Sequence, residues 1–120
     1  MPKQKLKKDP KVKVPDGDAA KGSAVFNTHC AVCHSMEGGD NKTAAAPSLN
    51  DLFDTMAGHR TDFPYSNAMK KSGIQWNEKH LFVYLKAPAK YVAGTRMAFA
   101  GINDEQERAD LIAYLRDPYF

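Results

Sequence analysis

Only two cysteines occur in the chain, and they stand three positions apart, at Cys30 and Cys33. So close a pair excludes a disulfide scaffold, because a bridge between them would close a loop too small to remove much unfolded-state entropy. No run of apolar residues approaches the ~20 that a bilayer span needs, so the chain reads as not transmembrane. Its opening, MPKQKLKKDPKVKVPDG, lacks the apolar stretch of a secretory signal and has no Arg or Ser of the kind a matrix-targeting helix carries. Any compartment is therefore expected to be reached without a cleaved presequence of the ordinary kind. Internal repeats and alternating strand patterns are missing too. Nothing resembles a nucleic-acid recognition motif, and no basic face lies behind the basic N-terminus, so nucleic acid is not an expected partner.

At 120 residues, 42% of them apolar, the chain reads as one domain with a marginal core. A bulky apolar cofactor would help fill it. The net charge of +3 hides a sharp division. Six lysines within residues 1–13 face one carboxylate, Asp9, whereas from Val14 onward eleven basic residues meet thirteen acidic ones. Residues 1–16 are expected to form a basic, solvated, disordered arm and residues 17–120 the folded domain. A sharper role for the arm is contact with an anionic lipid surface, where each Lys contributes about 1 kcal/mol.

The domain reads as helices joined by long loops. Asp18 caps a first helix that runs to His29, with Val25 and Phe26 facing inward and Gly22 inside it. Residues 35–64 form a long loop rich in Gly, Asn, Asp and Thr, with a turn of helix near Asn50 to Phe53. A loop of that length in so small a domain wraps something or is functional. Ser66 caps a short helix ending at Gly73, and Asn77 caps another over 78–86 that Pro88 stops. Asn103 with Gln106 makes a capping box for the last helix, whose Leu111, Tyr114 and Leu115 recur at helical spacing. The fold class is all-α, and the middle is still missing.

Cys30-Ala-Val-Cys33-His34 supplies it. C-x-x-C-H is the spacing of c-type haem attachment: two thiols add to the two vinyl groups of one porphyrin edge, and the adjacent imidazole lies under the iron. A structural zinc site drawing on His29 or another His is the rival, although no second C-x-x-C or paired His follows. A thioredoxin-type redox pair would need a βαβ pattern that is absent. A haem iron would want a further ligand, and Met36, Met56, Met69, Met97, His59 and His80 are the candidates. Met36 and Met56 read as core filling. Met97 lies in GTRMAFAG, a Gly-bounded loop able to lay one side chain over a haem face, and His/Met ligation suits electron transfer.

Three ordered runs, GDAAKGSAVFNTHCAVCH, DFPYSNAMKKSGIQWNEKHLFVYL and YVAGTRMAFAGINDEQERADLIAYL, resemble mitochondrial-type class I cytochrome c from about Gly17 to Arg116. The middle run is similar to that of apicomplexan members in particular, and the departures below mark a divergent paralogue. The resemblance implies three to five helices wrapped around a covalently attached haem c, with first and last helices crossing so that Gly22 and Phe26 meet Leu111 and Tyr114. It implies a one-electron carrier, not an enzyme, working between the cytochrome bc1 complex and cytochrome c oxidase in the mitochondrial intermembrane space. By the same resemblance Cys30 and Cys33 form the thioethers, and His34 and Met97 are the iron ligands. The Pro47 carbonyl accepts the proximal imidazole's N–H. Tyr65 and Trp76 hydrogen-bond a propionate, Tyr84 and Thr95 lie near the Met side, and Phe99 stands at the exposed haem edge. For Tyr84 and Phe99 a plain core role stands beside the electron-transfer one.

The departures set the remaining expectations. Met69 stands where the family has an Asn, Thr55 where an Arg commonly pairs with a propionate, and Ala93 in place of a Pro, a change that loosens the Met loop by about 0.4–1 kcal/mol. The alternative function is accordingly an open haem with labile Met ligation and peroxidase-like or ligand-binding activity. Family lysines around the haem edge are replaced at Ala24, His29, Ala89, Asn103, Asp104 and Glu105, while Lys86, Lys90 and Arg96 remain. Steering toward acidic partners is expected to be weaker. A monomer is expected, and a loosened Met loop would also let C-terminal helices exchange into a swapped dimer.

Overall fold

The computed structural model describes residues 6–29, 52–58, 65–94 and 101–117. Five helices occur among them: α1 (Ala19–His29), α2 (Asn67–Lys71), α3 (Glu78–Lys86), α4 (Pro88–Tyr91) and α5 (Glu105–Arg116). The one pairing of extended backbone among the described residues is an isolated antiparallel bridge between Met56 and Gln75. The all-α expectation holds.

The crossing of α1 and α5 is the centre of the fold. Gly22 lets it happen: a Cβ built there would lie 1.9 Å from the Asp110 backbone oxygen and 2.8 Å from Tyr114 Cβ. One turn later Phe26 meets Tyr114 with ring centroids 5.3 Å apart, above fully buried Leu111. The start of α1 is fastened to the same helix. Asp18 takes the N–H groups of Ala20 at 2.9 Å and Lys21 at 3.3 Å on its side chain, while its own N–H donates to the buried Asp110 carboxylate at 2.9 Å. Gln106 Nε2 donates to that carboxylate and to the Asp16 carbonyl, each at 2.9 Å. A cap worth about 1 kcal/mol is thus tied to tertiary structure.

Leu81, Phe82, Tyr84 and Leu85 bury the inner side of α3. Arg108 of α5 reaches across to it: its guanidinium sits 4.2 Å from the Phe82 ring centroid and donates from Nη1 to the Phe82 carbonyl at 2.8 Å. Residues 52–58 are pinned along 74–76 by backbone bonds from Asp54 to Trp76, Trp76 to Thr55 and Ala57 to Ile74.

Two details differ from the sequence reading. The cap of α5 is Asp104, whose side chain accepts the Glu107 N–H at 2.9 Å, so the Asn103–Gln106 capping box does not form. Asp104 wins because a carboxylate at a helix N-terminus also gains from the macrodipole. Pro88, expected as a stop, ends α3 and at once opens α4 as a first-turn proline, where its missing N–H costs nothing.

The basic N-terminus lies along the domain from residue 7 onward. Lys7 N–H donates to the Gly73 carbonyl at 2.8 Å, Asn77 Nδ2 donates to Asp9 at 2.9 Å, and Val12 and Val14 pack against the core.

Candidate functional site

Cys30, Cys33, His34, Pro47, Thr95, Met97 and Phe99 lie outside the described residues, as do His59 and Met36. Described residues flank them along the chain. Helix α1 ends at His29, one residue before Cys30, and its grip on α5 fixes where the Cys30–His34 segment begins.

The segment carrying Met97 is bounded by two left-handed glycines. Gly94 adopts a φ of +88°, with its virtual Cβ 3.3 Å from Ala68 of α2. Gly101, at φ +111°, crowds the end of α3: a Cβ there would lie 2.1 Å from the Lys86 carbonyl oxygen. Ile102 N–H then donates to the Leu85 carbonyl at 2.8 Å. Both conformations are ones that an L side chain rarely adopts, which explains the glycine boundaries.

Trp76 and Tyr84 are brought together, their rings edge-on at 5.1 Å and each only about 5–6% exposed. Tyr65 precedes Ser66, which caps α2 by accepting the Met69 N–H at 3.1 Å. Met69 itself is half-buried against the core. Thr55, where the resemblance leads one to expect an Arg, donates its hydroxyl to the Leu52 carbonyl and so spends its one hydrogen locally.

Of the six candidates for a distal iron ligand, the structure removes His80. The ring is 1% exposed, with Nδ1 2.6 Å from the Tyr91 hydroxyl and Nε2 3.2 Å from Asp9 Oδ1, so both nitrogens are already engaged within the protein. Burial pushes the His80 pKa below the usual imidazole value, outweighing the opposite pull of Asp9. The Tyr91 phenol is pushed up, first by burial and then by the Asp9 charge. Sequence reasoning missed this cluster. The available signal was a His one helical turn before Tyr84, on the apolar face of α3.

A family model for cytochrome c matches residues 19–117. The cytochrome c of Tetrahymena pyriformis is 52% identical over 109 residues, covering 91% of this chain and 96% of that protein. That of Theileria annulata is 49% identical over 111 residues, covering 92% and 95%, and that of Stellaria longipes 46% identical over 103, covering 85% and 94%.

The chain belongs to the cytochrome c family.

Cytochromes c are electron-transfer proteins, not enzymes, that hold haem c covalently through two cysteines; this one has two, Cys30 and Cys33. The donor set fits that group. In the sequence, two thiols and an adjacent imidazole follow directly on a helix end anchored by α5, and a thioether falls between two glycines, of which Gly94 lies beside Ala68 of α2 and Gly101 against the end of α3. Zinc fits less well, since His80 is engaged on both nitrogens and the sequence offers no second cysteine pair. Its partners, as for the family, are respiratory complexes, and no described helix is long and apolar enough to cross a membrane.

Proposed function

We propose that this cytochrome c carries electrons on a haem whose iron is held by His34 and Met97. It would shuttle them from the cytochrome bc1 complex to cytochrome c oxidase in the mitochondrial intermembrane space. When bound, haem c supplies reversible one-electron chemistry, at a potential raised by His/Met ligation. The protein's part is to hold still. Cys30 and Cys33 would hold the haem through thioethers, His34 and Met97 would ligate its iron, and the Pro47 carbonyl would accept the imidazole N–H. Tyr65 and Trp76 would donate to a propionate, Tyr84 and Thr95 would supply polar groups near Met97, and Phe99 would stand at the exposed haem edge.

The observation that supports this reading is the left-handed glycine at each end of the Met97 segment, Gly94 close to α2 and Gly101 against the end of α3. A ligand must be presented the same way in both oxidation states if transfer is to be fast, and closely packed loop ends, with Gly94 beside Ala68 of α2 and Ile102 N–H donating to the Leu85 carbonyl of α3, favour that placement. The adjacency of Trp76 and Tyr84 supports the same placement.

The experiment is spectroscopic. The ferric protein should show the weak near-infrared band of thioether–iron ligation, retained in Met36→Ala, Met56→Ala and Met69→Ala and lost in Met97→Ala. Retention of the band in Met97→Ala would overturn the assignment.

A further inference from the structure

His80 and Tyr91 form a pair that haem binding does not use. Asn77 assembles it: its Oδ1 caps α3 by accepting the His80 N–H at 2.9 Å, while its Nδ2 donates to Asp9 Oδ1, also at 2.9 Å. The same Asp9 oxygen faces His80 Nε2 at 3.2 Å. A carboxylate only accepts, so Nε2 carries the imidazole hydrogen and Nδ1 presents its lone pair to the Tyr91 hydroxyl 2.6 Å away. The three groups therefore run in one direction, phenol to imidazole to carboxylate, within the distance at which a base can take a proton.

The surroundings of the phenol bear on its redox chemistry. Lys7 Nζ stands 4.3 Å from the Tyr91 ring centroid. A cation there is attracted by the neutral ring and would be repelled by a ring that had lost an electron while keeping its proton. Tyr91 also contacts Tyr84 edge-on at 6.4 Å, and Tyr84 contacts Trp76 at 5.1 Å. A contiguous aromatic ladder thus joins the core to the pair.

We propose that Tyr91 is a second one-electron site of this chain, a phenol that gives its electron to a strong one-electron oxidant while its proton moves to His80 Nδ1. The O–H bond breaks and an N–H bond forms. The oxidant is reduced by one electron, leaving a neutral phenoxyl beside an imidazolium that Asp9 stabilises. Return of an electron sends the proton back. The charged or titratable groups facing His80 are Asp9 and Lys7 from the N-terminal segment and Tyr91 from α4, with Asn77 at the α3 cap. Of these, Asp9 and the Lys7 backbone favour the imidazolium, while the Lys7 charge opposes it. The ladder through Tyr84 lets oxidising equivalents in the core drain to this site, and the step needs nothing from the carrier function proposed above.

The test uses the full-chain holoprotein with photogenerated ruthenium(III) tris-bipyridine as oxidant and freeze-trapped electron paramagnetic resonance as readout. A phenoxyl signal should appear that Tyr91→Phe removes. Its formation should slow in D2O, and its yield should fall as acidification protonates His80. His80→Gln keeps a hydrogen-bond partner but no basic nitrogen, and should abolish both sensitivities and most of the signal. A signal indifferent to Tyr91→Phe, or a Tyr91 signal indifferent to His80→Gln, overturns the proposal. If circular dichroism shows that His80→Gln is unfolded, the wild-type measurements decide, and a yield independent of both pH and D2O overturns it.

Discussion

A neutral imidazole sealed between a carboxylate and a phenol makes His80 a reporter of acid stability. Its pKa in the folded protein lies below the unfolded value because burial penalises the charged form. The unfolded chain therefore binds more protons over the interval between those two values. Stability contributed by His80 is full above about pH 6.5, the unfolded value, and is lost as pH falls through that interval toward the folded value. Urea denaturation of wild type and His80→Gln at several pH values from about 7.5 down to 5 should show their stability difference shrinking on acidification. A difference constant over that range would refute the coupling. The cluster was hidden in the sequence because Asp9 is distant from His80 along the chain and sits in a lysine-rich stretch, whose charge pattern pointed outward to solvent. Cys30, Cys33 and His34, by contrast, declared themselves because haem attachment is a local geometry written in five consecutive residues.

Helix pairing and loop anchoring both depend on places where a backbone comes closer than any side chain allows. Gly22 is the clearer case. In Gly22→Ala the new methyl would meet the Asp110 backbone oxygen at 1.9 Å, and neither helix can yield without opening the Phe26–Tyr114 contact. A loss of about 3 kcal/mol is expected, at the upper end of ordinary overpacking because the obstacle is backbone, read as a lowered denaturation midpoint with an unchanged slope. Gly101→Ala should act differently. Its strain falls on the loop end beside Lys86 and costs about 1–3 kcal/mol, so α1 and α5 stay paired while the Met97 side loosens. Imidazole should then bind the ferric protein roughly tenfold more tightly for each 1.4 kcal/mol transmitted to the ligand; unchanged affinity with an unchanged near-infrared band would show that the loop end is not coupled to Met97. Most element boundaries were legible from caps and apolar spacing: Asp18, Ser66 and Asn77 cap where expected. What escaped was choice between neighbours. Asn103 and Asp104 are both good caps, and the charged one, which also gains from the macrodipole, took the place. Pro88 both stops one helix and starts another, an ambiguity that no local rule resolves.

Charge is distributed over the whole molecule in a way that bears on how fast partners meet it. Ala24, His29, Ala89, Asn103, Asp104 and Glu105 are all exposed, so at the positions where the family resemblance leads one to expect lysines, neutral or acidic side chains stand where a partner would feel the difference. Lys86 and Lys90 remain exposed as well. A second basic region, Lys7, Lys8, Lys11 and Lys13, is exposed on the N-terminal segment, but that segment is tied to Gly73, Asn77 and His80 and so holds its charge at one fixed place. Diffusional capture depends on the field summed at the docking edge, and removing like charges from that edge lowers both the rate at low salt and its dependence on salt. Reaction of the reduced protein with cytochrome c oxidase, followed by stopped flow at two ionic strengths, should therefore be slower at low salt than for a lysine-rich relative, with a shallower decline on adding salt. Returning lysine at Ala89, Asn103 and Glu105 together should raise the low-salt rate by about tenfold, the lower end of what steering supplies, and steepen the salt dependence. Changing Lys8, Lys11 and Lys13 to Gln should alter it far less if the docking edge lies apart from the N-terminal segment. The opposite ranking, with the N-terminal lysines dominating the salt slope, would move the partner's footprint onto α3 and α4.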